Sequence, residues 1–135
     1  MALLTWSERL SIGVKAMDAQ HILLIGMLNE LHAAMMAGEA KTITGPLLDK
    51  LVNYTRTHFS TEEALLEKAG YPELPQHHKH HVDLTKQVDV FVARYQSGEE
   101  MINLHLMNFL SNWLSDHILE EDLEYGKWLN QRGVQ

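Results

Sequence analysis

At 135 residues and 45% hydrophobic side chains the chain can bury one core without staples, and it has no cysteine, which excludes thiolate zinc sites, iron–sulfur clusters and cysteine nucleophiles. A formal charge of −7 with no run of Lys or Arg excludes a nucleic-acid surface. The start, Met1 to Trp6, has no leader pattern, and no stretch approaches the ~20 apolar residues that span a bilayer, so a cytoplasmic protein without membrane insertion is expected.

Residues 1–17 read as an arm, with Trp6, Leu10, Ile12 and Val14 apolar enough to pack on the rest of the molecule. A first helix is predicted over about 18–37, from Asp18 as N-cap to Gly38, with Met17, His21, Leu24, Leu28, Leu31 and Met35 on one stripe. A second is predicted over about 41–69, beginning somewhere between Ala40 and Pro46 because a proline is tolerable in a first turn, with Gly70 and Pro72 as its stop; its stripe is Leu47, Leu51, Tyr54, His58, Glu62 and Leu65. Pro75 opens a third over about 75–96, striped by His77, His81, Leu84, Val88, Phe91 and Tyr95. Ser97 and Glu100 form a capping-box pattern for a fourth over about 99–130, striped by Leu106, Leu110, Trp113 and His117, then Glu124 and Trp128. Connections this short favour antiparallel neighbours. The expected fold is all-α, a single-domain, up-down-up-down antiparallel four-helix bundle spanning 1–135 with an N-terminal arm.

Histidines on the buried stripes carry the functional reading. An imidazole in a core needs partners for both ring nitrogens, so His21, His58, His77, His81 and His117 together at core positions are costly unless they bind something. His58 with Glu62, and His77 with His81, stand four apart and face one way on a helix. Asp122 follows His117 by five, about 140° further round an ideal helix, so either a metal lies between those directions or the helix widens into a bulge. In an up-down bundle all seven groups fall at one level. Seven ligands are too many for one structural zinc but suit two ions sharing two bridging carboxylates and an oxygen, with six- and five-coordination and one open position. Imidazole and carboxylate fit iron, zinc, copper or manganese alike. The remaining His32, His78, His80 and His105 read as surface or incidental, Glu63 as solvated, and Glu120, Glu121 and Glu124 as a solvated helix end.

The ordered pattern Trp6, Asp18-Ala-Gln-His21, His58-Phe-Ser-Thr-Glu62-Glu, Tyr71-Pro72, His77-x-x-x-His81 and Trp113-Leu-Ser-Asp-His117-Ile-Leu-Glu-Glu-Asp122 resembles the hemerythrins, most closely the single-domain bacterial kind, the bacteriohemerythrins. The resemblance implies two iron ions with an oxo or hydroxo bridge, one on His77, His81 and His117, the other on His21 and His58, with Glu62 and Asp122 bridging. It implies reversible binding of dioxygen at the five-coordinate iron, a non-enzymatic role in oxygen storage or delivery to an oxygen-consuming membrane enzyme, and a monomer. Ligation rich in histidine agrees with this, because fewer anionic ligands than in ferritin-like oxidising sites leave the diferrous state easier to recover. Leu24, Phe59, Trp113, Leu114 and Ile118 match apolar oxygen-pocket positions of the family, although core packing explains each of them as well. Gln20 is expected to hydrogen-bond a ligand imidazole, at a position where animal hemerythrins tend to have glutamate. Sensing or scavenging of oxygen, nitric oxide or iron, and di-iron peroxidase chemistry, are the alternatives for the same site.

Overall fold

The computed structural model describes residues 3–99 and 101–135. Helices α1 (Lys15–Met36), α2 (Lys41–Ala69) and α3 (Leu74–Gln96) are followed by a longer rod. That rod is built from α4 (Leu104–Asp116), a π-helical segment (His117–Asp122) and α5 (Leu123–Asn130), and no strand occurs among the described residues. The four rods form an antiparallel bundle in which α1 packs on α2 and α4, and α2 on α3. Leu28, Leu31, Leu66, Met107 and Leu129 are sealed in its core.

Local chemistry sets where each helix begins and ends. Asp18 is not the N-cap that the sequence suggests. Helix α1 starts earlier, after extended Val14, and Asp18 sits in the first turn. From there its carboxylate reaches back to the arm, accepting from Ile12 N–H at 2.9 Å and Ser11 Oγ at 2.6 Å. Gly70, at φ 76°, closes α2 in the left-handed conformation expected of it. Helix α2 starts at Lys41, at the early end of the range the sequence allows, so Pro46 falls in its second turn. Lys41 Nζ bonds Tyr95 O at 2.6 Å and Thr44 bonds the Tyr95 hydroxyl at 2.9 Å, which fastens this end to α3.

The fourth rod begins later than residue 99. Ser97 ends α3, and Gly98, at φ 85°, lets Gly98 N–H and Glu99 N–H return to Tyr95 O and Arg94 O. Ser97 is thus spent on a helix exit. Glu100, the other half of the expected capping box, lies outside the described residues. Asn103 caps α4 instead, its side chain accepting from Leu106 N–H at 2.9 Å.

The arm packs as its composition suggests. Leu10, Ile12 and Val14 are buried, and Asn29 ties Leu3 and Leu4 to α1. It crosses α5 at Gly126, where a Cβ would lie 2.1 Å from Ile12 O, so backbone touches backbone. Gly126→Ala is therefore expected to destabilise the protein by about 1–3 kcal/mol through overpacking. Urea unfolding checks this, and an unchanged midpoint would show that the arm does not hold this contact in solution. No helix among the described residues is long and apolar enough to cross a membrane.

Candidate metal centre

His21 from α1, His58 and Glu62 from α2, His77 and His81 from α3, and His117 and Asp122 from the fourth rod meet inside the bundle, each at most 5% exposed. The α-helical spacing of four aligns His58 with Glu62 and His77 with His81. The spacing of five between His117 and Asp122 is met by the π-helical segment, whose Leu123 N–H bonds Ile118 O five residues back. This resolves the two possibilities that the sequence left open. The bulge, not a metal lying between two directions, brings Asp122 onto the face of His117.

Each carboxylate divides its oxygens between two groups of histidines. Glu62 Oε1 contacts His77 Nε2 and lies 3.1 Å from His81 Nε2 and 4.0 Å from His117 Nε2. Asp122 Oδ1 faces the same group, 3.0 Å from His117 Nε2 and 3.4 Å from His77 Nε2. Glu62 Oε2 lies 3.1 Å from His58 Nε2 and 4.0 Å from His21 Nε2, and Asp122 Oδ2 is 3.1 Å from His21 Nε2. Two sets follow, Glu62 with His77, His81 and His117, and His21, His58, Glu62 and Asp122, the ligand atoms of each lying within 4.8 Å of one another. Both could hold a cation.

Burial makes the same point. His21 Nε2, His81 Nε2, His117 Nε2 and both Asp122 oxygens are buried without a hydrogen-bond partner among the described residues, although they converge on one another. Orphaned lone pairs turned to a common centre are costly in an ordinary core and suit a cation. Burial alone would raise the pKa of Glu62, yet the imidazoles of His58, His77 and His81 beside its oxygens hold it well below the usual carboxylate range. Burial and the charge of Glu62 push Asp122 up, but His117 and His21 outweigh them and it too is lowered. Burial lowers and Asp122 raises the His117 pKa, and the carboxylates win. Two buried negative charges thus demand positive charge, from imidazole protons or from metal ions that displace them.

The imidazoles are also held from behind. Gln20 Oε1 lies 2.5 Å from His58 Nδ1, so it meets the imidazole across the helix interface, not that of its neighbour His21. Glu63 is not simply solvated. Its Oε2 accepts from His81 Nδ1 at 2.8 Å and its Oε1 contacts His78 Nδ1. Glu121 is likewise no solvated helix end, since it accepts from His117 Nδ1 four residues back and lies 2.9 Å from His80 Nδ1. His78 and His80, read as incidental in the sequence, are thereby joined to the centre. Tyr125 stands outside the stripes that the sequence marks. It is fully buried and its hydroxyl donates to Glu62 Oε2 at 3.0 Å. Burial and the charges of Asp122 and Glu62 push its pKa well above the usual phenol value, so it stays a donor. Its place three residues after Asp122, on the same helix face, was the available signal.

Apolar groups close the centre. Phe59 stacks on His81 with ring centroids 3.8 Å apart, and Trp113 stacks on His117 at 5.1 Å. Leu24, Leu114 and Ile118 are buried. A cavity of about 320 Å³ runs between the helices beside them, with Leu24, Leu28, Leu51, Trp113 and Leu114 in its wall. Phe59 and Ile118 are not part of that wall; Phe59 packs on His81 and Ile118 is sealed in the core.

The profile of the hemerythrin HHE cation binding domain matches residues 12–129. The chain belongs to the hemerythrin family. It is 41% identical over 125 residues to the bacteriohemerythrin of Stenotrophomonas maltophilia, covering 93% of this chain and 80% of that one. Against the bacteriohemerythrin of Methylococcus capsulatus it is 32% identical over 131 residues, covering 96% and 99%. A crystal structure of wild-type hemerythrin superposes with a TM-score of 0.89 at 31% identity, covering 93% of this chain and 97% of the other. Hemerythrin membership implies oxygen binding and a non-haem iron site, and the inward-turned imidazoles and carboxylates have the donor chemistry for it.

Proposed function

We propose that this hemerythrin binds dioxygen reversibly at a di-iron centre and serves in the cytoplasm as an oxygen store or as a carrier to an oxygen-consuming enzyme. The observation that carries the reading is the division of the Glu62 and Asp122 oxygens between a three-histidine and a two-histidine group. His77, His81 and His117 would hold one ion and His21 and His58 the other, with both carboxylates shared. An ion on the two-histidine side would have one protein donor fewer and could take a further ligand. Two ferrous ions held there would supply the electrons that dioxygen takes up on binding.

The protein's own part is to shape, seal and orient. Tyr125 holds Glu62 by its second oxygen, Gln20 and Glu63 fix the rings of His58 and His81, and Phe59 and Trp113 cover His81 and His117. Leu24 and Leu114 are buried in the wall of the cavity that Trp113 also lines, where their apolar side chains would keep water from the centre. Leu114→Ala is expected to hasten irreversible oxidation about tenfold, equivalent to about 1.4 kcal/mol in the barrier. The decay of the oxygenated absorption checks this, and an unchanged rate would remove Leu114 from the seal.

The test of function is the optical spectrum of anaerobically reduced, iron-loaded protein before and after admitting oxygen, then under argon. A visible band that appears with oxygen and disappears on flushing supports the carrier reading. A lasting ferric spectrum contradicts it and favours a scavenger or a peroxidase.

A further inference from the structure

The segment His77-His78-Lys79-His80-His81 places two histidines inward and two on the surface, and the surface pair meets the inward ones through carboxylates. His78 Nδ1 contacts Glu63, whose other oxygen takes His81 Nδ1. His80 Nδ1 contacts Glu121, whose other oxygen takes His117 Nδ1. His78 and His80 are 59% and 57% exposed, so each carboxylate is braced from solvent and spent on an inner imidazole. Both chains end on the three-histidine group. Among the described residues the two-histidine group has nothing like them: His58 meets the neutral amide of Gln20, and His21 Nδ1 is buried without a partner.

The asymmetry has a direction. A carboxylate that accepts Nδ1–H makes the opposite nitrogen a better donor, fixes the tautomer that leaves it free, and adds negative charge a few ångströms from the ion. A neutral amide supplies orientation without that charge. We propose that Glu63 and Glu121, braced by His78 and His80, are positioning residues that make the three-histidine half the tight half, so that metal fills it first. The two-histidine half fills second and holds its ion more loosely. This rests on the two-metal reading above.

Anaerobic titration of the metal-free protein with cobalt(II), followed by calorimetry and by the ligand-field spectrum, tests it. The unaltered protein should take up two ions in separate steps. Glu63→Gln and Glu121→Gln should each weaken the first step about 10- to 100-fold and leave the second unchanged. Gln20→Glu, which sets a carboxylate behind His58, should strengthen the second step and leave the first, a gain that damage to the fold would not produce. His78→Ala and His80→Ala, at exposed positions, should weaken the first step by a smaller factor. Two ions bound with a first step indifferent to both glutamates, or with both steps weakened alike, would overturn the inference alone. Fewer than two ions bound by the unaltered protein would overturn the two-metal reading and this inference with it.

Discussion

Glu62→Gln is expected to reduce the metal content of the protein from two ions per chain to one at most. Glu62 has all five inward histidines within 4.0 Å of its two oxygens, and both sets of ligand atoms include it. Glutamine keeps the shape and one acceptor for the Tyr125 hydroxyl, so the helices have little reason to move. What it removes is the negative charge and the second oxygen, and with them the means of holding two cations side by side. A buried amide also turns N–H toward one group of imidazoles, where an acceptor is needed. Iron per chain, measured after reconstitution and desalting, decides the matter. Two ions retained at unaltered affinity would show that Glu62 does not join the two halves.

Removing the metal should cost the folded protein much of its stability. Without it, buried lone pairs of His21, His81, His117 and Asp122 have no partner, and the two carboxylates lean on imidazole protons for neutrality. An ion present at about a thousand times its Kd stabilises the state that binds it by about 4 kcal/mol. For a domain of this size that corresponds to a fall in Tm of at least about 10 °C on chelation. Calorimetry of loaded and chelated protein measures it. Equal unfolding temperatures would mean that the pocket is satisfied without a cation and that the orphaned atoms find partners of another kind.

The convergence of the seven side chains was legible because helical spacing is rigid: residues four apart face one way, and short connections put helix starts beside helix ends. The step of five from His117 to Asp122 was legible only as a choice, since a π-helical turn leaves no mark in composition. The residues behind the imidazoles were harder to see. A carboxylate at a helix surface has the same sequence signature whether water or a histidine on the next helix takes it, so Glu63 and Glu121 read as solvated. Helix boundaries failed where one residue could serve two ends. Ser97 suits a helix start, but Gly98 after it makes a better exit, and Asn103 takes the start. Tyr125 was hidden by the abundance of aromatic core residues, because what sets it apart is the Glu62 oxygen 63 residues away in the chain.

The most direct test of the two-metal centre is anomalous diffraction from crystals of the iron-loaded protein. Two peaks are expected, one within coordination distance of His77, His81 and His117 and the other of His21 and His58, with a Glu62 oxygen and an Asp122 oxygen on each. A single peak, or two peaks that do not share those carboxylates, would contradict the account.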